Sequence, residues 1–259
     1  MTKKNSKTRL DDLLVELGYF PDTDTALRAV LAREVRVNDV YATSAALMVA
    51  PDADIFIKTK THGQNADSHR YVSRGGFKLQ AALDAFNQSV TGLRCIDIGS
   101  STGGFTDCLL QAGAASVTCV DVNYGQLAWS LRQDERVIVF ERTNIKTADA
   151  GELGAPFDLI VADVSFIGLA SLAPAFARLS DEGTVFIGLV KPQFESQHDE
   201  TDHGVVRDPA IRARTVTEVS EALEANGFTV TDVTQSPITG PKGNVEFLVR
   251  GIMTTHTTA

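Results

Sequence analysis

Long apolar runs are absent from this chain of 259 residues, although 43% of its residues are hydrophobic. No segment approaches the roughly 18 consecutive apolar residues that a membrane-spanning helix requires. The apolar stretch at 13–20 is interrupted by Glu16 and is not followed by a small-residue cleavage site. Cysteine is also scarce: Cys95, Cys108 and Cys119 fall inside predicted strands or a helix, which indicates reduced core thiols. We therefore expect a cytoplasmic protein without a disulfide framework or a membrane segment.

The net charge of −9 is unevenly distributed along the chain. Residues 1–80 carry 12 lysines and arginines against 10 aspartates and glutamates, whereas residues 81–259 carry 12 against 23. The acidic excess therefore belongs to the second part. A polyanion such as a nucleic acid would meet the first part of the chain more favourably.

The pattern of apolar residues and turn formers predicts two domains. Short helices at 9–17 and 24–32, the second capped by Asp22 or Thr23, are followed by short strands at 35–37 and 54–58. Strands and helices then alternate, which predicts an α/β fold with a mostly parallel sheet covered on both faces. Two final strands, at 229–234 and 244–249, predict an antiparallel hairpin at one edge of that sheet. The predicted boundaries are a small α+β domain at 1–60, a polar linker at 61–75 and the larger domain at 76–259.

A glycine-rich loop after the first strand of the larger domain predicts a nucleotide cofactor site. Its spacing, Asp97-x-Gly99-x-x-x-Gly103, differs from the dinucleotide-binding pattern, which is the obvious rival, and an acidic residue before the first glycine would repel a pyrophosphate. A cofactor with a cationic amino-acid end and no phosphate fits better, and S-adenosylmethionine meets that description. Asp121 ends the next strand at the spacing expected for a ribose-binding carboxylate. The candidate cofactor-binding residues are Asp97, Gly99, Ser100, Ser101, Thr102, Gly103, Gly104, Phe105, Asp121, Val122 and Asn144, the last either an adenine contact or a plain turn residue.

Four charged residues, Lys78, Asp163, Lys191 and Glu246, fall where a nucleotide-binding sheet would direct them into one cleft. If S-adenosylmethionine donates its methyl group here, these residues favour a hydroxyl as the methyl acceptor. A hydroxyl must lose its proton as it attacks the methyl group. A lysine can take this proton only where burial or a nearby cation lowers its pKa. Two lysines in one cleft would repel each other, and the two carboxylates would orient them. The alternative is that these residues form ordinary ion pairs at strand ends.

Other acceptors fit the residues less well. Transfer to a base amine usually accompanies an Asn/Asp-Pro-Pro-Tyr/Phe sequence, and residues 163–166 lack the prolines. Transfer to a pyrimidine carbon needs a cysteine nucleophile. Cys95 and Cys119 precede Asp97 and Asp121 by two residues and are predicted to face the core, so neither suits that task.

Six segments form an ordered set that spans nearly the whole chain: YVSRGGFKL at 71–79, DIGSSTGGF at 97–105, ADVSF at 162–166, VKPQFE at 190–195, GVVRDP at 204–209 and GPKGNVEFL at 240–248. This set closely resembles the TlyA family, haemolysin-like ribosomal RNA 2′-O-methyltransferases with an S4 domain followed by an FtsJ-like domain. The resemblance implies that Lys78, Asp163, Lys191 and Glu246 form the family's Lys-Asp-Lys-Glu catalytic set, with Lys191 as the base. It also implies cytidine targets in 16S and/or 23S ribosomal RNA, and it places Arg74-Gly75 at an interdomain hinge.

The first domain departs from the usual S4 pattern. Positions that commonly hold Ser-Arg and two turn glycines are Asp22-Thr23, Arg33 and Asp39 here, which weakens the expectation of RNA binding. The candidate RNA contacts are Arg9, Arg28, Arg33, Arg36 and Arg74, although such arginines can also be plain solvated side chains.

Two other functions are alternatives to methyl transfer. The chain could bind RNA or ribosomes without catalysis, or it could act on membranes, as the family's haemolysin name suggests. No amphipathic basic helix supports the membrane alternative. The segment 198–203 contains histidines and carboxylates but sits in a polar loop, so we expect no metal. Phe166 either stacks on a flipped cytosine or belongs to the core.

Overall fold

The computed structural model describes residues 7–17, 19–20, 22–38, 40–50, 53, 55–57 and 70–254. The chain divides into two compact units, Met1–Arg70 and Tyr71–Ala259. Of the predicted linker, residues 61–69 lie outside the described ranges. Residues 71–75 belong to the larger unit, where the backbone N–H of Val72 donates to Asp107 at 2.8 Å. The predicted departure at Asp39 also lies outside the described residues.

The smaller unit packs two helices on short strands. Asp22 caps the second helix as predicted, because its carboxylate accepts from the backbone N–H of Thr25 at 2.7 Å. Leu10, Leu14 and Val35 are fully buried in its core. The assignment as an S4-like domain remains a prediction. The elements are β1 (Thr8–Arg9), α1 (Leu10–Glu16), α2 (Thr23–Leu31), β2 (Val35–Val37), β3 (Val40–Tyr41), β4 (Met48–Val49) and β5 (Ile55–Ile57), with sheets β3-β2-β5 and β1-β4.

The larger unit is built on a seven-stranded sheet. Its strands are β6 (Arg94–Ile98), β7 (Ser116–Val120), β8 (Val137–Phe140), β9 (Leu159–Ala162), β10 (Val185–Val190), β11 (Phe228–Gln235) and β12 (Phe247–Met253). The order is β11-β12-β10-β9-β6-β7-β8. Strands β6 to β10 pair in parallel, and β12 is antiparallel to both β10 and β11. The predicted α/β fold with an antiparallel pair at one edge is therefore confirmed.

Helices cover both faces of this sheet, because apolar residues occupy both sides of its central strands. On one face Ile96 and Ile160 pack with Phe176 of the helix after β9, and on the other Leu159 packs with Leu109. The helices are α3 (Gly75–Ala85), α4 (Gly104–Gln111), α5 (Trp129–Arg132), α6 (Ala150–Leu153), α7 (Ala173–Arg178), α8 (Pro192–Glu195) and α9 (Pro209–Glu224). Short 3₁₀ turns lie at Leu169–Leu172, His198–Glu200 and Pro241–Gly243.

The last strand begins at Phe247, three residues later than predicted. Asn244 belongs to a turn instead, because its side chain accepts from the backbone N–H of Val206 at 3.1 Å and donates to the carbonyl of Gly204 at 2.9 Å. This turn precedes β12 and carries Glu246 up to the start of the strand. The apolar pattern alone does not reveal such a side-chain anchor.

We expect Phe176→Ala to lower the free energy of unfolding by about 3–5 kcal/mol, because the ring is fully buried and lies 4.6 Å from that of Phe186. Urea denaturation measures this change. Phe166→Ala is the matched control, since that ring is 91% exposed and its loss should change stability little. Similar losses for both variants would contradict this description of the core.

Candidate active site

Three of the four predicted catalytic residues lie at one edge of the sheet because of strand register. Asp163 follows β9 and Lys191 follows β10, and these parallel strands end at the same edge. Glu246 directly precedes β12, whose first residue, Phe247, pairs with Val190. Glu246 therefore lies beside the end of β10.

Lys78, on α3, also lies in this group, and the four residues form two ion pairs. Lys78 Nζ lies 2.6 Å from Glu246 Oε2, and Lys191 Nζ lies 2.6 Å from Asp163 Oδ1. Each lysine is only 8% exposed, and Glu246 is fully buried. Removing one member of such a pair would leave an uncompensated buried charge, which costs far more than an exposed pair contributes. All four predicted residues thus have a charged partner within the set.

The two pairs differ in how the ammonium group is held. Lys78 Nζ donates a directed hydrogen bond to Glu246 Oε2. Lys191 instead donates its hydrogen bond to Ser165 Oγ at 3.0 Å. Although Asp163 Oδ1 is closer to Lys191, no directed hydrogen bond reaches that oxygen within the described ranges. We treat the Asp163 contact as a charge interaction and the Ser165 contact as the directional one.

Gly240 fixes the position of the Glu246 carboxylate. A Cβ atom at Gly240 would lie 2.0 Å from Glu246 Oε1, so only glycine leaves space for the acid. The backbone N–H of Ser236 donates to the Glu246 carbonyl at 2.9 Å. The sequence analysis did not predict that Gly240 leaves space for the Glu246 carboxylate. The turn formers at 236–243 were the only feature of the sequence that pointed to this position.

The predicted cofactor loop leads from β6 into α4. Gly99 has a φ of +82°, and a Cβ atom there would lie 2.5 Å from the carbonyl oxygen of Asp163, so the loop passes against the end of β9. Gly103, with a φ of +96°, is the N-terminal cap of α4. Ser101 also adopts a positive φ, of +47°. The remaining predicted members, Ser100, Thr102, Gly104 and Phe105, belong to the same loop and the first turn of α4.

Asp97 lies beneath this loop and is completely buried. One of its oxygens accepts from the backbone N–H of Thr106 at 3.0 Å and from its hydroxyl at 2.6 Å. The other oxygen has no hydrogen-bond partner in the part of the chain that the structure describes. Burial raises the pKa of Asp97 to about 7; the Thr106 bonds oppose this rise, and the negative charges of Asp163 and Asp121 add to it.

Three carboxylates, Asp97, Asp121 and Asp163, therefore interact at the ends of β6, β7 and β9. This acidic environment and the unpartnered buried oxygen of Asp97 fit a cationic ligand and oppose a phosphate-bearing one. The residues present thus suit the sulfonium and ammonium groups of S-adenosylmethionine.

Asp121 and Asn144 are already engaged by the backbone. Asp121 accepts from the N–H groups of Ser101 and Asn123, each at 2.8 Å. Each oxygen keeps acceptor capacity for a ribose hydroxyl. The neighbouring Val122 is exposed. Asn144 is exposed and accepts from the N–H of Lys146 at 3.0 Å, as a turn residue does.

The cysteines remain buried thiols. Burial raises the pKa of Cys95 and of Cys119 to about 12, so neither supplies a thiolate near neutral pH. All three cysteines are free, as predicted. Cysteine-dependent transfer to a pyrimidine carbon therefore lacks its nucleophile at these two positions.

The predicted RNA-contacting arginines differ in their surroundings. Arg9 forms ion pairs with Asp11 and Asp12, which offset its charge. The guanidinium of Arg36 lies 5.4 Å from the Tyr41 ring centroid and 4.5 Å from that of Phe56, on the neighbouring strands. The other three, Arg28, Arg33 and Arg74, are exposed.

The sequence model of the FtsJ-like methyltransferases matches residues 71–252, which include the cofactor loop and the paired lysines. The chain belongs to this family. It is 42% identical over 245 residues to the 16S/23S rRNA (cytidine-2′-O)-methyltransferase TlyA of Mycobacterium tuberculosis, covering 94% of this chain and 89% of that protein. It is 36% identical to Hemolysin A of Brachyspira hyodysenteriae, covering 95% and 100%. A solved structure described as a hemolysin from Streptococcus thermophilus superposes with a TM-score of 0.73 at 37% identity, covering 97% and 90%.

This FtsJ-like protein is thus an S-adenosylmethionine-dependent methyltransferase related to TlyA. Among the described residues, no group of three or more histidines, cysteines, aspartates or glutamates is arranged to hold a metal ion. The described helices also include none with the length and apolar character needed to cross a membrane.

We expect Asp97 to make stability fall as the pH rises. Its folded-state pKa of about 7 exceeds the ordinary value of 3.8, so the folded chain binds more protons between those values. Between about pH 5.5 and about pH 8, the cofactor-free wild type should therefore lose about 2 kcal/mol of unfolding free energy relative to Asp97→Asn. Urea denaturation of both proteins at several pH values measures the difference. Parallel stability curves would contradict the raised pKa.

Proposed function

We propose that this protein transfers a methyl group from S-adenosylmethionine to a ribose 2′-hydroxyl of ribosomal RNA, with Lys78, Asp163, Lys191 and Glu246 as the catalytic set. The observation that carries the proposal is the pairing of two buried lysines with two carboxylates beside an acidic cofactor loop. The name of the M. tuberculosis relative adds cytidine in 16S or 23S ribosomal RNA as the expected target.

S-adenosylmethionine supplies a methyl group bound to a positively charged sulfur. As the ribose oxygen forms its bond to the methyl carbon and the bond to sulfur breaks, the hydroxyl proton must leave. Once Lys191 Nζ has given up one of its own protons, it can accept the hydroxyl proton, and Asp163 at 2.6 Å stabilises the ammonium that results.

Lys78 serves a different purpose from Lys191. Its Nζ donates a hydrogen bond to the fully buried Glu246, which holds this positive group in one position. That charge stabilises the negative charge that develops on the ribose oxygen as its proton departs. Lys191, held by a neutral hydroxyl and a partly exposed carboxylate, is the better base.

Phe166 is the candidate contact for the base of the target nucleotide. It follows the Asp163 loop with a φ of +65°, a strained conformation for a non-glycine residue. Its ring is 91% exposed and lies 5.4 Å from that of Phe194, which supports it from the Lys191 side. An exposed ring held this way can stack on an unpaired base next to the acceptor ribose.

The smaller unit is proposed to assist docking on RNA as an S4-like domain. Arg28 and Arg33 are exposed and available for phosphate contacts, whereas Arg9 is engaged by its acidic neighbours. This role depends on ribosomal RNA or a ribosomal subunit as the partner.

Ribose-methylation mapping of ribosomal RNA, incubated with the protein and S-adenosylmethionine, tests the proposal. We expect one cytidine to be methylated by the wild type and a rate roughly 10²–10⁴-fold lower with Lys191→Ala. Lys191→Arg keeps a charge for Asp163 but cannot lose its proton, so it should be equally impaired. Calorimetry with S-adenosylmethionine should show binding by all three proteins.

The possible outcomes separate the alternatives. Equal methylation by wild type and Lys191→Ala would refute the catalytic assignment. Absence of cofactor binding, even with RNA present, would instead favour a protein that only binds RNA.

We expect Phe166→Ala to raise KM for RNA by roughly 5- to 150-fold, which corresponds to a lost stacking contribution of about 1–3 kcal/mol. Phe166→Trp should retain affinity because it preserves an aromatic face. Steady-state kinetics with a short RNA containing the target measures both. Unchanged KM for the alanine variant would refute the stacking contact.

A further inference from the structure

We propose that Ser165 is a positioning residue for the reaction, and that its hydroxyl sets the direction in which the Lys191 amine faces the acceptor. This inference rests on the proposed function, in which Lys191 accepts the ribose proton. The sequence identified Asp163 and Lys191 as charged partners and gave Ser165 no role.

The contacts of Lys191 Nζ carry the inference. Asp163 Oδ1 is the nearer atom, at 2.6 Å, but it receives no directed hydrogen bond. Ser165 Oγ, at 3.0 Å, is the hydrogen-bond acceptor of Nζ. Within the described part of the chain, Lys191 Nζ has no other hydrogen-bond acceptor. Asp163 therefore attracts Lys191 Nζ electrostatically, and Ser165 sets the direction of one of its N–H bonds.

Direction matters because a base must point its lone pair at the proton it takes. The Lys191 amine sits on a bond that rotates freely, and attraction to a nearby charge constrains that rotation only weakly. A hydrogen bond weakens steeply with misalignment, so it holds the amine in one orientation. With one N–H fixed on Ser165, the remaining positions of the tetrahedral nitrogen are fixed as well. Loss of such orientation can cost about 10²-fold in rate.

The backbone around Ser165 is itself held in place. On one side, the carbonyl of Asp163 lies against Gly99, where a Cβ atom would approach it to 2.5 Å. On the other, the Phe166 ring lies 5.4 Å from that of Phe194. The backbone N–H of Leu169 donates to Glu195 Oε1 at 2.5 Å.

Segments 163–169 and 191–195 are consequently joined at four points. Two of these are contacts of Lys191 Nζ, with Asp163 Oδ1 and Ser165 Oγ, and of the two only the Ser165 contact is a directed hydrogen bond. Burial raises the pKa of Glu195, and its hydrogen bonds from the backbone of the 3₁₀ turn oppose that rise. Because this segment is anchored, the Ser165 hydroxyl keeps a constant position relative to Lys191 Nζ.

Ser165→Ala tests the inference because the side chain is exposed and its removal should not affect folding. We expect kcat for RNA methylation to fall about 10- to 100-fold, with KM for RNA and the affinity for S-adenosylmethionine unchanged. Ser165→Thr keeps a hydroxyl and should restore most of the rate. Ser171→Ala is the matched control, since that exposed serine donates only to the carbonyl of Gly168.

A second measurement does not depend on RNA methylation. Nitrogen-15 relaxation of the Lys191 ammonium, assigned by its loss in Lys191→Arg, should show greater mobility in Ser165→Ala than in the wild type or Ser171→Ala. Equal mobility in all three would overturn the inference, as would a full kcat for Ser165→Ala. A wild type that orders Lys191 through Ser165 yet methylates no RNA would instead refute the proposed function alone.

Discussion

Burial of two ammonium groups is the constraint on which the arrangement of this site depends. A lysine residue that is 8% exposed must meet an opposite charge, or its burial costs several kcal/mol. Lys78 and Lys191 satisfy this requirement with carboxylates from different parts of the chain. The pairs thereby bind α3, the ends of β9 and β10, and the start of β12 into one structure. In the proposed mechanism, the same pairs that stabilise this edge of the sheet also place a base and a fixed cation beside the predicted cofactor loop.

The acidic loop and the paired lysines are physically linked. Gly99 brings the loop against the carbonyl of Asp163, so the cofactor side and the acceptor side share one backbone contact. Asp97, buried below, interacts electrostatically with Asp163 and Asp121. This concentration of negative charge supports the proposal that a cationic methyl donor binds here, with the hydroxyl proton leaving toward Lys191. The proposed cofactor-binding and proton-accepting residues thus lie at the ends of neighbouring strands of one sheet, within one domain.

Much of this organisation could be predicted from the sequence. Apolar runs ending in a charged residue located Asp163 and Lys191, and parallel strands necessarily bring such ends to one edge. The glycine spacing correctly predicted a loop between β6 and α4, and the role of that loop in cofactor binding stays a prediction. Individual side-chain contacts could not be predicted, because the order of residue types does not determine which rotamer each side chain adopts. The Ser165 hydrogen bond, the space beside Gly240 and the anchor at Asn244 are of this kind. The ion pairs of Arg9 likewise depend on two neighbours whose orientation the sequence does not reveal.

The place of β12 in the sheet has a consequence for biosynthesis. Strands β6 to β11 all precede it in the chain, yet β12 lies between β10 and β11 in the sheet, and Glu246 directly precedes it. Until β12 is in place, a nascent chain lacks the Glu246 carboxylate that pairs with Lys78, although Leu79 of α3 can already pack with Leu109 of α4. The Lys78–Glu246 pair of the proposed catalytic set can therefore form only after strands β6 to β11 have been made.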